Sequence, residues 1–117
     1  MHLKKIAEIL DAEILFEPPE SQLEITSACG ADLMSDVMAF SKDNTLLLTG
    51  LIHPQVIRTA EMLDIKAVAF VRGKMPSEQV MELAKEKGIA VLATKEPMFV
   101  ACGRLYNAGI NGRGAGC

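Results

Sequence analysis

Tryptophan is absent from this chain of 117 residues, tyrosine occurs once, and aromatics amount to 4%. So few rings leave no base-stacking surface to expect. Nor is there a surplus of positive charge: 12 Lys and Arg face 15 Asp and Glu, a formal net charge of −3. Non-specific nucleic-acid binding needs the opposite balance to neutralise phosphates. No apolar run approaches the roughly 20 residues that span a bilayer. Glu8 and Asp11 interrupt the apolar stretch that a signal peptide would need after Lys4 and Lys5. Three cysteines, Cys29, Cys102 and Cys117, form no Cys-x-x-Cys pair. An odd and sparse set suits a reducing cytosol better than a secreted disulfide framework. The expectation is a cytoplasmic protein with no nucleic-acid or membrane partner.

Half of the residues are apolar, enough for one core at this length. Leu3, Ile6, Ala7 and Leu10 recur at helical spacing opposite Lys4, Lys5, Glu8 and Asp11. Glu13 to Glu17 follows as an apolar segment between acidic ends, stopped by Pro18-Pro19. Leu23 to Thr26 alternates apolar and polar, which predicts a half-buried strand. The segment from Asp32 to Phe40 predicts a short helix beginning at Asp32.

From residue 45 the pattern becomes regular. Apolar strands are predicted at Thr45–Thr49, Ala67–Val71 and Ile89–Ala93, and helices at about Pro54–Asp64, Ser77–Lys87 and Pro97–Asn107. Gly88 stands as a helix stop and Gly109 follows the last helix. Strands without polar alternation, each followed by a helix, mark a parallel sheet covered on both faces. The predicted fold is a three-layer α/β/α sandwich with a mainly parallel sheet. To it the N-terminal part adds a helix and a hairpin or edge strand. The domain is expected over residues 1–110, with 111–117 as a glycine-rich mobile tail.

Four stretches carry a resemblance: Asp32-Leu-Met-Ser-Asp-Val-Met38, Thr49-Gly50, Gly88-Ile-Ala-Val-Leu-Ala-Thr94 and Gly103-Arg-Leu-Tyr106. In this order and spacing they resemble the DRTGG domain family over nearly the whole chain, to about Ile110. The literal Asp-Arg-Thr-Gly-Gly string is absent, and Thr26-Ser-Ala-Cys-Gly30 is the region nearest to it. The resemblance implies a fold related to the N-terminal domain of HPr kinase/phosphorylase. It also implies kinship with regulatory domains fused to phosphotransacetylases and CBS-containing pyrophosphatases. Stand-alone members of this kind occur beside iron-only hydrogenase genes, which implies a hydrogenase-related partner. The family's modules are dimerising and regulatory. Kinase chemistry is not implied, because no Gly-x-x-x-x-Gly-Lys-Ser/Thr loop is present.

In an open parallel sheet, ligands gather beyond the carboxyl ends of the strands. Those ends should present Thr49, Gly50 and His53, then Arg72 and Gly73, then Thr94 and Lys95 followed by Glu96. Such residues suit a small anion or nucleotide. The competing view makes Thr49 and Thr94 helix caps and both glycines plain turns. A second patch is Asp32, Ser35 and Asp36, which on one helix face could hold a hydrated Mg²⁺ beside a phosphate. Against it, Asp32 reads as an N-cap and Asp36 as a charge favouring the helix start.

His2, His53 and the cysteines have no metal-ligand spacing, so neither a metal nor a resident cofactor is expected. Cys102 reads as a buried, inert thiol, and His53 as a helix-start residue rather than a base. Of the seven methionines, most read as core filling. The leading expectation is a non-catalytic regulatory module forming a homodimer. Its rivals are a small metal-dependent phosphohydrolase using Asp32, Asp36 and His53, and a redox or metal accessory protein for a hydrogenase.

Overall fold

The computed structural model describes residues 1–19, 22–39 and 44–110. In chain order the elements are α1 (Leu3–Leu10), β1 (Ala12–Phe16), β2 (Ser27–Gly30), α2 (Met34–Met38), β3 (Thr45–Thr49), α3 (Pro54–Met62), β4 (Ala67–Phe70), α4 (Glu78–Lys87), β5 (Ala90–Thr94) and α5 (Met98–Asn107). One five-stranded sheet has the order β1-β5-β4-β3-β2. Strands β2 to β5 run parallel, and β1 returns antiparallel along β5.

The mainly parallel sandwich is as expected, and its middle strands explain why. All five residues of β3 are buried, as are the four of β4 and the five of β5. A strand covered on both faces has no reason to alternate. Leu46, Leu48, Ala67, Ala69, Ala90 and Leu92 face α1 and α5, where Leu3, Ile6, Leu10, Ala101 and Leu105 meet them. Leu47, Val68, Phe70 and Val91 point the other way, to Val56, Ile57 and Ala60 of α3 and to Val80 and Ala84 of α4. On the α1/α5 face the sheet alternates large and small, with Leu46, Leu48 and Leu92 beside Ala67, Ala69 and Ala90, and the helices contribute the facing aliphatic side chains.

Local chemistry sets the helix ends. His53 caps α3, its Nδ1 accepting from Gln55 N at 3.0 Å, and Pro54 occupies the first turn. Ser77 caps α4 through Val80 N at 3.3 Å, Lys85 and Lys87 lie at its last turn, and Gly88 closes it at φ +68°.

Three features of the N-terminal third bear on what was expected there. Leu23–Thr26 is not a strand; the strand is Ser27–Gly30, one step later. The alternation there has another cause. Ile25 is buried in the core beside α1, its N–H donating to the Met1 carbonyl at 2.7 Å, while the terminal ammonium pairs with Glu24. Second, β1 and β2 do not form a hairpin but occupy opposite edges, so the edge-strand alternative holds. A buried hydroxyl pair, Ser27 with Thr45 at 2.8 Å, ties β2 to β3. Third, α2 begins at Met34 with Leu33 as its N-cap, leaving Asp32 outside the helix. Phe40 and residues 111–117, including Cys117, lie outside the described residues. The methionines divide: Met34 is buried, whereas Met38, Met62 and Met75 are exposed.

Candidate functional site at the carboxyl rim of the sheet

Parallel pairing brings the ends of β2, β3, β4 and β5 to one rim. There Asp32, Thr49, Gly50 and Arg72 meet. The Asp32 Oδ1 accepts from Gly50 N at 2.7 Å and from the Thr49 hydroxyl at 3.3 Å. Its Oδ2 lies 3.4 Å from Nη2 of Arg72. Gly50 is required by this approach: a Cβ there would stand 2.1 Å from the same Nη2 and push the guanidinium aside.

Arg72 itself is held in an unusual conformation. Among the described residues four non-glycine positions have positive φ: Asp11, Asn44, Asp64 and Arg72. Asp and Asn tolerate the left-handed region; a long side chain rarely enters it, at a cost of roughly 1–2 kcal/mol. Arg72 and Asp32 are 49% and 52% exposed, and a pair so open to water returns about 0–1 kcal/mol. The Arg72–Asp32 contact by itself therefore does not offset the strain. The backbone contributes the rest, with Arg72 N donating to Glu96 O at 2.8 Å and Gly73 N to Thr94 O at 3.0 Å. Arg72 thus leans on β5 with its main chain and on the β2–α2 turn with its side chain.

Beyond Arg72 the rim opens into a cleft of about 380 Å³, lined by Asp11, Glu13, Gly73, Thr94, Lys95 and Glu96 among others. Three of these are carboxylates and one is an ammonium. Glu96 also faces Arg104 at 3.4 Å. Thr94 builds the floor of this region: its hydroxyl donates to Leu10 O at 2.7 Å and accepts from Glu96 N at 3.1 Å. Thr49 makes the same turn, accepting from Leu51 N at 3.1 Å. Neither threonine caps a helix, because each hydroxyl is already committed to the N–H two residues on.

The structure therefore brings Thr49, Gly50 and Arg72 together on one half of the rim and Gly73, Thr94 and Lys95 on the other. His53 is separate in role, its ring nitrogen used as the α3 cap. Asp32 was expected as a helix cap or as a metal ligand with Asp36; instead it serves the first cluster from a turn. Ser35 and Asp36 are exposed on α2. Among the described residues no three His, Cys, Asp or Glu side chains converge as metal ligands.

Asp11 and Glu13 escaped the sequence reading. Only the antiparallel return of β1, pairing Ala12 with Thr94, carries them to this rim, and no local pattern signals that.

The two described cysteines are half-buried, Cys29 on the α3/α4 face of the sheet and Cys102 on the α1/α5 face, its Sγ beside Gly30 of β2. Burial pushes both thiols up, and Cys102 and Asp36 push Cys29 further. Raised thiols are poor nucleophiles. Cys102 also fixes its neighbour, since a Cβ on Gly30 would come within 2.8 Å of its Sγ.

An open α/β sheet whose polar side chains gather at the carboxyl ends of parallel strands defines a ligand-binding class of domain rather than one activity. The particular family is plain from its sequence model, the DRTGG domain, which matches residues 5–108: the chain belongs to that family. It is similar in fold to the crystal structure of the CBS and DRTGG domains of the regulatory region of Clostridium perfringens pyrophosphatase, complexed with the activator diadenosine tetraphosphate. The TM-score is 0.75 at 21% identity, covering 88% of this chain and 45% of that one. This chain thus spans less than half the length of that structure. Among curated proteins, none matches the sequence. No helix among the described residues is long and apolar enough to cross a membrane.

Proposed function

We propose that this chain is a non-catalytic, cytoplasmic regulatory module that binds a small anionic ligand or nucleotide at the rim and acts as a homodimer. The observation that carries the reading is Arg72, which spans both halves of the rim in a conformation its own contact with Asp32 does not repay. Non-glycine residues held in a sparsely populated backbone region by their surroundings concentrate at functional sites. The two halves suit different parts of one ligand. Arg72, with the Thr49 hydroxyl and the Gly50 N–H, fits an oxyanion. The cleft carboxylates Asp11 and Glu13 repel phosphate but accept from hydroxyls or an amine, as acidic residues do for ribose in dinucleotide sites. The fold neighbour was crystallised with a nucleotide activator, which agrees with this ligand class.

A catalytic role is the weaker reading. Two of the three side chains a phosphohydrolase would use are held by other groups, Asp32 by Gly50, Thr49 and Arg72 and His53 by Gln55, and the third, Asp36, stands exposed on α2. For the dimer, the exposed face of α5 is the candidate surface. Phe99 and Tyr106 are 88% and 73% exposed, and Gly103 lies between them with open space before it. Spacings of four and three residues set all three on one helix face. An antiparallel two-fold pairing of α5 with its copy sets Phe99 of each chain near Tyr106 of the other, and glycine at the crossing lets the backbones approach. A hydrogenase-related partner is proposed on family resemblance alone, and co-purification from a producing cell tests it.

The direct test is a thermal-shift screen with adenine nucleotides, acyl phosphates and NAD(H). A specific ligand raises the midpoint by mass action. A flat screen, with turnover on a phosphate-ester panel, would overturn the reading.

A further inference from the structure

The donors at the Arg72 half of the rim are not idle; they already hold an anion, and it belongs to the protein. One carboxylate, Asp32, accepts from the Gly50 N–H at 2.7 Å and the Thr49 hydroxyl at 3.3 Å, and faces the Arg72 guanidinium at 3.4 Å. A backbone N–H at a strand end, a hydroxyl and a guanidinium converging on one point form the donor set that recognises a phosphate group. The geometry points to Asp32 as an internal stand-in for the ligand's phosphate, so that ligand binding requires the Asp32 carboxylate to leave these donors. This inference rests on the rim being the ligand site.

Three features favour a displaceable occupant over a permanent staple. Asp32 and Arg72 are both half-exposed, so an incoming phosphate reaches them without opening the core. Two of the three contacts are long, at 3.3 and 3.4 Å. Asp32 also sits in a turn, outside α2, and the N–H of its neighbour Ala31 is held by Leu48 O at 3.0 Å. The side chain can therefore swing out while the strand end stays in place. Because Leu33, the next residue, caps the five-residue α2, displacement would be felt at that helix. The ligand's phosphate and Asp32 would be mutually exclusive, and a change at the rim would be passed to an exposed helix.

The test uses the full chain and inorganic phosphate, with affinity read by calorimetry and by the Gly50 amide resonance. The isosteric substitution Asp32→Asn removes the competing charge and should tighten phosphate binding at least tenfold. Adding Arg72→Gln should abolish that gain. In the unsubstituted protein, millimolar phosphate should move the Gly50 and α2 amides and leave the Gly88 amide, at the opposite end of the sheet, unchanged. This last measurement stands even if a variant misfolds. Equal affinity in Asp32→Asn and the parent, a gain that survives Arg72→Gln, or a silent Gly50 amide would each overturn the proposal. A ligand found in the thermal-shift screen, with no gain in Asp32→Asn, would sink the displacement and leave the rim as the site. Tight phosphate binding by Asp32→Asn with a flat screen would establish the displaceable anion site while rejecting the nucleotide reading.

Discussion

Arg72 reaches Asp32 across 3.4 Å only because residue 50 is glycine. Three separate strand ends thus meet in one contact, and each contributes something the others lack: a charge, an empty volume and a carboxylate.

If the left-handed backbone of Arg72 is strained, residue type should control stability there. Arg72→Gly removes a contact of small value and relieves the strain, so unfolding free energy should hold steady or rise slightly. Arg72→Val places a β-branched side chain at φ +63° and should cost about 1–2 kcal/mol more. Urea denaturation of the two variants makes the comparison. A valine variant as stable as the glycine variant would remove the strain argument.

Thr94 bonds two backbone groups with one buried hydroxyl. Thr94→Val keeps the shape, strands the Leu10 carbonyl and the Glu96 N–H, and should lose roughly 1–3 kcal/mol. Denaturant melts against the parent decide it, and a loss below a few tenths would mean that water replaces the bonds.

Gly30 and Cys102 should be coupled. Gly30→Ala drives a methyl to 2.8 Å from the Cys102 Sγ and 3.1 Å from the Met98 Sδ, with an overpacking cost of about 1–3 kcal/mol. Cys102→Ala vacates the space. The double variant should recover part of the loss, giving a coupling of at least about 0.5 kcal/mol in a double-mutant cycle.

The thiols set an alkaline limit. Burial raises both in the folded state, so above the ordinary thiol pKa of about 8.5 the folded chain holds protons that the unfolded chain has lost. The unfolded state then binds fewer protons, and stability falls as pH rises from there toward the folded values. Below that window the thiols leave stability unchanged. A Cys29→Ala/Cys102→Ala variant should lack this part of the alkaline decline in melts between pH 7 and 10.

The dimer proposal turns on α5. Phe99→Asp should convert a sedimenting dimer to monomer while the melting temperature stays near the parent's, because Phe99 is 88% exposed. A parent that is monomeric at high micromolar concentration would reject the dimer outright.

Regular elements were readable from residue 45 onward because burial on both sides leaves unbroken apolar runs. Thr45–Thr49 matches β3 to the residue, and Ser77 and Gly88 bracket α4 as capping chemistry predicts. Nearer the N-terminus the same rules misled. Ile25 is buried against α1, so alternation at Leu23–Thr26 mimicked a strand.

Composition and periodicity alone determined a small α/β sandwich with a mainly parallel sheet, since apolar spacing records which faces lose water. They also marked Thr49, Gly50, Arg72 and Thr94 as strand-end residues. Tertiary structure decided what those residues do. It drew Asp32 out of a helix and onto the Gly50 N–H, and it carried Asp11 and Glu13 to the rim along an antiparallel edge. It also turned the Arg72 side chain away from the strand its backbone leans on. Such contacts join residues far apart along the chain, Leu10 and Thr94 being 84 positions apart, and depend on register and handedness, which neighbouring residues along a chain do not encode.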